Sequence, residues 1–145
     1  MLISEIMTRD VETVAPDASL QKAAEVMEAR DAGSLPVCDG RRLIGAITDR
    51  DIVVRGVAAG LSPVDTLVQE CMTPDIVYAF EDEEADAVLN RMKTLQIRRL
   101  AILDRGKSLV GIVALGDIAT EPRAAALRSV GAAVAEISEP SRPKD

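Results

Sequence analysis

The chain contains no histidine and no tryptophan, and its aromatic side chains are Tyr78 and Phe80 alone. The lack of histidine removes Ser–His and Cys–His catalysis and most zinc sites. The lack of aromatics means that any core is aliphatic. Cysteine is scarce too: Cys38 and Cys71 stand in unrelated contexts, without metal-ligand spacing. Both are expected to be small apolar residues in a reducing compartment, not redox or metal groups. No apolar run reaches membrane-spanning length, because Asp or Arg interrupts every candidate. The opening Met1-Leu2-Ile3-Ser4-Glu5 shows no basic stretch leading into an apolar one, so no secretory signal is expected and the cytoplasm is the expected location. There is no basic excess: 17 Lys and Arg face 24 Asp and Glu, a net charge of −7, which works against a nucleic-acid polymer as partner. A small phosphorylated ligand is not excluded, since it needs only a local cluster of Arg or Lys.

What is present is the balance of an ordinary globular protein, 48% hydrophobic and 28% charged over 145 residues. That length fits one compact domain, or two small halves sharing a core, without help from disulfides or metals.

The chain also repeats itself. Ile6-Met7-Thr8 returns 65 residues later as Cys71-Met72-Thr73, and at the same spacing Asp17 meets Asp82 and Met27 meets Met92. Leu35-Pro36-Val37 then meets Leu100-Ala101-Ile102. One extra residue shifts the spacing to 66, at which Leu43-Ile44-Gly45 matches Leu109-Val110-Gly111 and Asp51-Ile52 matches Asp117-Ile118. A register held from residue 3 to 52 with a single slip marks two copies of one unit.

Each copy reads in the same order. A helical turn (Ile3 to Met7; Val68 to Met72) leads into an extended stretch, Val11 to Val14 or Ile76 to Ala79. Asp17 and Asp82 are then candidate helix N-caps. Leu20, Ala23, Ala24 and Met27 follow at i, i+3, i+4, i+7, as do Ala85, Val88, Leu89 and Met92, which predicts an amphipathic helix in each copy. Glu81, Glu83 and Glu84 sit where a helix start favours negative charge. Two apolar runs come next, Ser34 to Cys38 and Leu43 to Ile47, split by Asp39-Gly40-Arg41, a hairpin-turn signal. The second copy shows Leu100 to Leu103 and Leu109 to Val113 about a turn at Asp104 to Lys107. A last helix is predicted near Asp49 or Gly116. The small, turn-forming stretch from Gly56 to Pro63 marks the break. The chain therefore divides into repeat 1 (1–60), a linker (61–67), repeat 2 (68–121), a C-terminal helix (122–137) and a disordered tail (138–145). Leu127, Val130, Val134 and Ile137 share one side of that C-terminal helix, and Gly131 weakens it by about 1 kcal/mol.

The repeated unit resembles the CBS domain, which usually occurs in tandem as a Bateman module, over about residues 1 to 121. Its marker here is Gly45-Ala46-Ile47-Thr48-Asp49-Arg50-Asp51, similar to the family's nucleotide signature of Gly, two apolar residues, Thr or Ser, two variable residues and Asp. The continuation from Asp51 to Gly60 is similar to small stand-alone bacterial members of the hypoxic-response type. The resemblance implies an α+β (α/β) fold of two pseudo-symmetric repeats, each a small sheet packed on two helices. It also implies related clefts between the repeats, holding AMP, ADP or ATP, with S-adenosylmethionine less favoured, and antiparallel homodimers.

The residue types suit that chemistry. The Asp51 carboxylate can accept hydrogen bonds from both ribose hydroxyls, Gly45 lets a ligand approach the backbone, and Thr48 stands before a helix where its hydroxyl can meet a phosphate. Thr48-x-x-Asp51 is equally a capping-box pattern, and both readings can hold together. By resemblance, Arg98 and Arg99 are the phosphate cations opposite Asp51; read alone, they are as well a solvated patch or partners of Glu83, Glu84 or Asp104. Arg50 and Arg55 are weaker candidates for that role and are expected to face solvent or a dimer partner. In the second copy Gly111 and Asp117 remain, but Ala114 replaces the hydroxyl and Gly33-Ser34 stands where Arg98-Arg99 would. One competent site at Asp51 and a weak or empty one at Asp117 are expected, with a ribose-only contact through Asp117 left open.

The function expected is a regulatory adenosine-nucleotide sensor with no required cofactor, no metal and no catalytic residue, acting on a protein target the sequence does not name. The alternative is a ligand-free dimerising or partner-docking scaffold, with the Ala-rich segment after Pro122 as docking element. An enzyme is the third class, and no nucleophile–base constellation supports it.

Overall fold

The computed structural model describes residues 1–120, with the side chains of residues 117, 119 and 120 outside that description. The expected C-terminal helix (122–137) and tail (138–145) therefore lie outside the described residues. The chain divides into two compact units that cut across the order of the sequence. Glu12–Val77 with Lys107–Leu109 forms one, and Met1–Val11, Tyr78–Gly106 and the chain from Val110 onward form the other.

The first of these units holds α1 (Leu20–Arg30), the strands β1 (Ser34–Asp39) and β2 (Arg42–Thr48), and α2 (Asp49–Asp51), which runs directly into a π-helical stretch, Ile52–Val57. α3 (Val68–Cys71) and the short β3 (Thr73–Pro74) complete it. The helix α1 starts at Ser19, not at the expected Asp17, because the Ser19 hydroxyl accepts the Lys22 N–H at 3.0 Å. It stops where Asp31 adopts a left-handed conformation, φ 50°. Leu20, Ala23 and Met27 are buried as the periodicity predicts, but Ala24 is exposed and Val26 packs against the core in its place. Gly40, at φ 62°, makes the expected turn between β1 and β2. The sheet order is β1-β2-β3 with antiparallel pairs, and Val14 adds a parallel bridge to Val37.

The other unit repeats this plan. It contains a 3-10 turn at Ile3–Glu5, β4 (Tyr78–Phe80), α4 (Ala85–Leu95), β5 (Arg99–Leu103), β6 (Leu109–Ala114, all but its first residue) and α5 (Leu115–Thr120), with sheet order β4-β5-β6. Here Glu84, not Asp82, is the N-cap residue. Asp82 instead pairs with Arg105 at 2.8 Å, and the Arg105 guanidinium lies 4.2 Å from the centre of the Phe80 ring. All four predicted stripe residues of α4, Ala85, Val88, Leu89 and Met92, are buried.

The internal symmetry is visible pair by pair. Val14 opposite Val37 in one unit corresponds to Ala79 opposite Ile102 in the other. Ala46 opposite Thr73 corresponds to Ile112 opposite Thr8. The Met-Thr motif that first exposed the repeat thus has a function in the fold. Each unit takes its copy of that motif from the other stretch of sequence and lays it against the strand carrying the glycine of the signature. Each unit has its own aliphatic core, one around Leu20, Leu35, Val37 and Ile47, the other around Leu89, Leu100, Ile102 and Ile118. Cys71 belongs to the first core and Cys38 is buried as well, both as free thiols, as expected of small apolar residues.

Candidate functional site

The signature occupies the end of β2 and the helix start that follows it. Thr48 is extended, at φ −110°, and caps α2. Its hydroxyl accepts the Asp51 N–H at 3.0 Å, while its own N–H donates to Asp51 Oδ2 at 3.0 Å. This is the reciprocal capping box allowed by the spacing. The Asp51 side chain is 12% exposed, and its second oxygen, Oδ1, faces Arg55 Nε at 3.8 Å, longer than a hydrogen bond. A carboxylate has about four lone-pair positions, so the cap leaves Asp51 with acceptor capacity. Helix capping and a ligand contact are compatible at this residue.

Gly45 has a nearer neighbour than any ligand. It pairs with Pro74 across the β2–β3 ladder, and a Cβ there would stand 2.5 Å from the Thr73 carbonyl oxygen and 3.3 Å from Met72 Sδ. Its counterpart Gly111 is enclosed likewise by Met7 and Thr8. Each glycine admits the chain's own backbone, which is the local reason for the residue.

Arg55 is exposed, as expected, but it also has two partners within the chain. One nitrogen approaches Asp51, four residues back on the helical face, and Nη1 donates to the Met72 carbonyl at 3.1 Å. The four-residue spacing from an acidic residue was the signal in the sequence. Arg50 is exposed, and its N–H donates to Asp49 Oδ1 at 2.8 Å.

The remaining predicted residues lie in the other unit. Arg98 and Arg99 are exposed at the start of β5, and the Arg98 carbonyl accepts the Leu115 N–H at 2.9 Å. The equivalent bond in the first copy runs from Asp49 N–H to the Gly33 carbonyl at 3.0 Å. Arg98 therefore stands at the position of Gly33 by hydrogen bonding as well as by sequence. Ala114 ends β6 and offers no hydroxyl to cap α5, and Asp117 falls within α5 with its side chain outside the described residues.

Burial raises the Cys38 thiol pKa. Burial first, then the negative charges of Glu70 and Asp51, raise that of Cys71, against the pull of Arg55. Neither is a poised thiolate. Among the described residues no helix is long and apolar enough to cross a membrane, and no group of three or more His, Cys, Asp or Glu could hold a metal ion.

The CBS domain family model matches residues 3–56 and again 68–123. Hypoxic response protein 1 of Mycobacterium tuberculosis is 40% identical over 116 residues, 79% of this chain and 80% of that protein. The crystal structure of Hypoxic Response Protein I, with two coordinated zinc ions, aligns with a TM-score of 0.73 at 38% identity, covering 84% of this chain and all of that one. The residues described here do not fit a zinc site, with no histidine in the chain and both cysteines buried. The CBS domain pair of protein MJ0100, in complex with 5'-methylthioadenosine and S-adenosyl-L-methionine, aligns at 28% identity and a TM-score of 0.67, over 82% of this chain and 93% of that one. CBSX2 in complex with AMP shares the fold at 22% identity and a TM-score of 0.71, over 86% and 95%. Two matched repeats, the preserved Thr48–Asp51 signature and the symmetry of the two sheets agree, and this chain belongs to the CBS domain family.

Proposed function

We propose that the chain is a regulatory module, not an enzyme, that binds an adenosine nucleotide of the AMP, ADP or ATP class through the Thr48–Asp51 signature of its first copy. The observation that carries this reading is the Asp51 carboxylate, fixed by its cap to Thr48 yet keeping acceptor capacity for a ribose diol. The adenosine compounds bound by MJ0100 and CBSX2 support the ligand class. Arg98 and Arg99 enter as phosphate cations on the family resemblance alone. The second copy, with Ala114 in place of the hydroxyl, is the weak or empty site in this proposal. Aliphatic walls take the adenine, and the module acts in the cytoplasm on a protein target. In the test, the protein is melted with AMP, ADP and ATP in turn. Ligand at 100 times its Kd raises stability by about 2.7 kcal/mol; no shift with any adenine compound rejects the reading.

A second reading has its own observation. Val53 (57% exposed), Val57 (62%) and Val64 (64%) leave apolar side-chain area open on and after the π-helical stretch. Homodimerisation through these valines, with or without nucleotide, would cover it. Sedimentation of Val53→Asp against the wild type tests this: a dimer that dissociates on substitution supports the interface, and an unchanged state rejects it.

A further inference from the structure

We propose that Arg55 is a positioning residue for the adenosine ligand, acting through Asp51; this rests on the nucleotide reading above. The cap from Thr48 N–H fixes one oxygen of the carboxylate, Oδ2, at 3.0 Å. A single fixed oxygen leaves the carboxylate plane free to rotate about its last torsion, which is broad. Arg55 biases the second oxygen through its charge, with Nε 3.8 Å from Oδ1, an ion-pair distance and not a hydrogen bond. The guanidinium is itself anchored, because Nη1 donates to the Met72 carbonyl at 3.1 Å. Met72 is held in turn, since the next two residues, Thr73 and Pro74, pair with Ala46 and Gly45 on β2.

A chain of contacts thus runs from Gly45, through the approach of β3 and the Met72 carbonyl, to Arg55 and the plane of Asp51. A preset carboxylate plane lowers the ordering cost of recognising a diol through both oxygens. Arg55 is therefore assigned to discrimination for the ribose hydroxyls, and touches no part of the ligand in this role. Its side chain is 52% exposed, so the effect is that of a partly solvated ion pair four residues apart on a helix, about two-fold in equilibrium constant.

The test compares AMP with 2',3'-dideoxy-AMP on the full chain by calorimetry, for the wild type, Arg55→Met and Arg55→Gln. The preference for AMP is expected to fall about two-fold in both variants, while affinity for the dideoxy compound is unchanged. The Gln variant keeps the comparison available if the Met variant does not fold. Equal weakening of both ligands, or an unchanged preference, overturns the role of Arg55 and leaves nucleotide binding standing. A wild type that binds AMP without preferring the diol also overturns it. A wild type that binds no adenine nucleotide rejects the underlying reading, and this assignment with it.

Discussion

The carbonyl oxygen of Thr73 lies so close to Gly45 that a Cβ at that position would stand 2.5 Å from it. The strand pair β2–β3 exists at this spacing because residue 45 has no side chain. The first residue of the signature is thus a packing residue, and the segment it admits carries the Met72 carbonyl that accepts from Arg55.

Gly45→Ala is expected to destabilise the protein by about 1–3 kcal/mol, the cost of forcing a backbone apart in a packed interior. Gly116→Ala is the contrasting variant. A Cβ at Gly116 meets nothing within 4 Å, and alanine in a helix gains about 0.5–1 kcal/mol over glycine. Urea denaturation of both variants should give changes of opposite sign; a neutral Gly45→Ala would contradict the packing role.

Thr48→Ala removes the acceptor for the Asp51 N–H and is expected to cost about 1 kcal/mol without any ligand present. Thr48→Ser keeps the hydroxyl and should retain most of that stability. If both variants melt with the wild type, the cap contributes nothing and the hydroxyl must be explained by the ligand alone.

Glu83 provides a pH-dependent contribution in the other unit. Burial acts to raise its carboxyl pKa, but the hydrogen bond from Arg91, together with that from the Phe80 N–H and the nearby charge of Arg91, outweighs it, so the group titrates below its ordinary 4.5. A carboxyl depressed on folding stabilises fully above its unfolded value and loses that contribution as pH falls through the folded one. The stability gap between wild type and Glu83→Gln should therefore be widest near neutrality and shrink below about pH 4.5. A gap that widens on acidification would contradict this assignment, and denaturation curves at stepped pH read it directly.

Both thiols are buried and shifted away from reactivity, Cys38 by burial and Cys71 by burial with Glu70 and Asp51 beside it. Labelling with a thiol reagent at neutral pH should be slow in the folded protein and complete once it is unfolded. Rapid labelling of the native state would place a thiol at the surface.

Much of the architecture was legible because duplication is a strong signal. Two registers, each with a helical stripe and two apolar runs, located α1, α4 and the strands β1, β2, β5 and β6. Helix starts were less legible: Asp17 and Asp82 have capping chemistry, but the chain turns into α1 and α4 two residues later, at Ser19 and Glu84. The exchange of the Met-Thr segments between units could not be read, since a repeat gives the likeness of two stretches and not the strand each one joins. The spacing of Thr48 and Asp51 offered the cap, and their resemblance to the family's signature offered the ligand contact, with both readings left open. Arg55 was weighed only as a weaker candidate: its spacing from Asp51 was readable, but its anchor on the Met72 carbonyl is set by the β2–β3 register.

The central claim is that the Asp51 carboxylate recognises the sugar of an adenosine nucleotide, and isothermal calorimetry of AMP, ADP and ATP against wild type and Asp51→Asn tests it most directly. Asn keeps an oxygen for the Thr48 N–H but loses the charge, and charge-assisted hydrogen bonds contribute about 1.5–3 kcal/mol each. One nucleotide bound per chain, with affinity at least about ten-fold weaker in Asp51→Asn, is the predicted result. Equal affinity in the two proteins, or no binding by the wild type, would contradict the account.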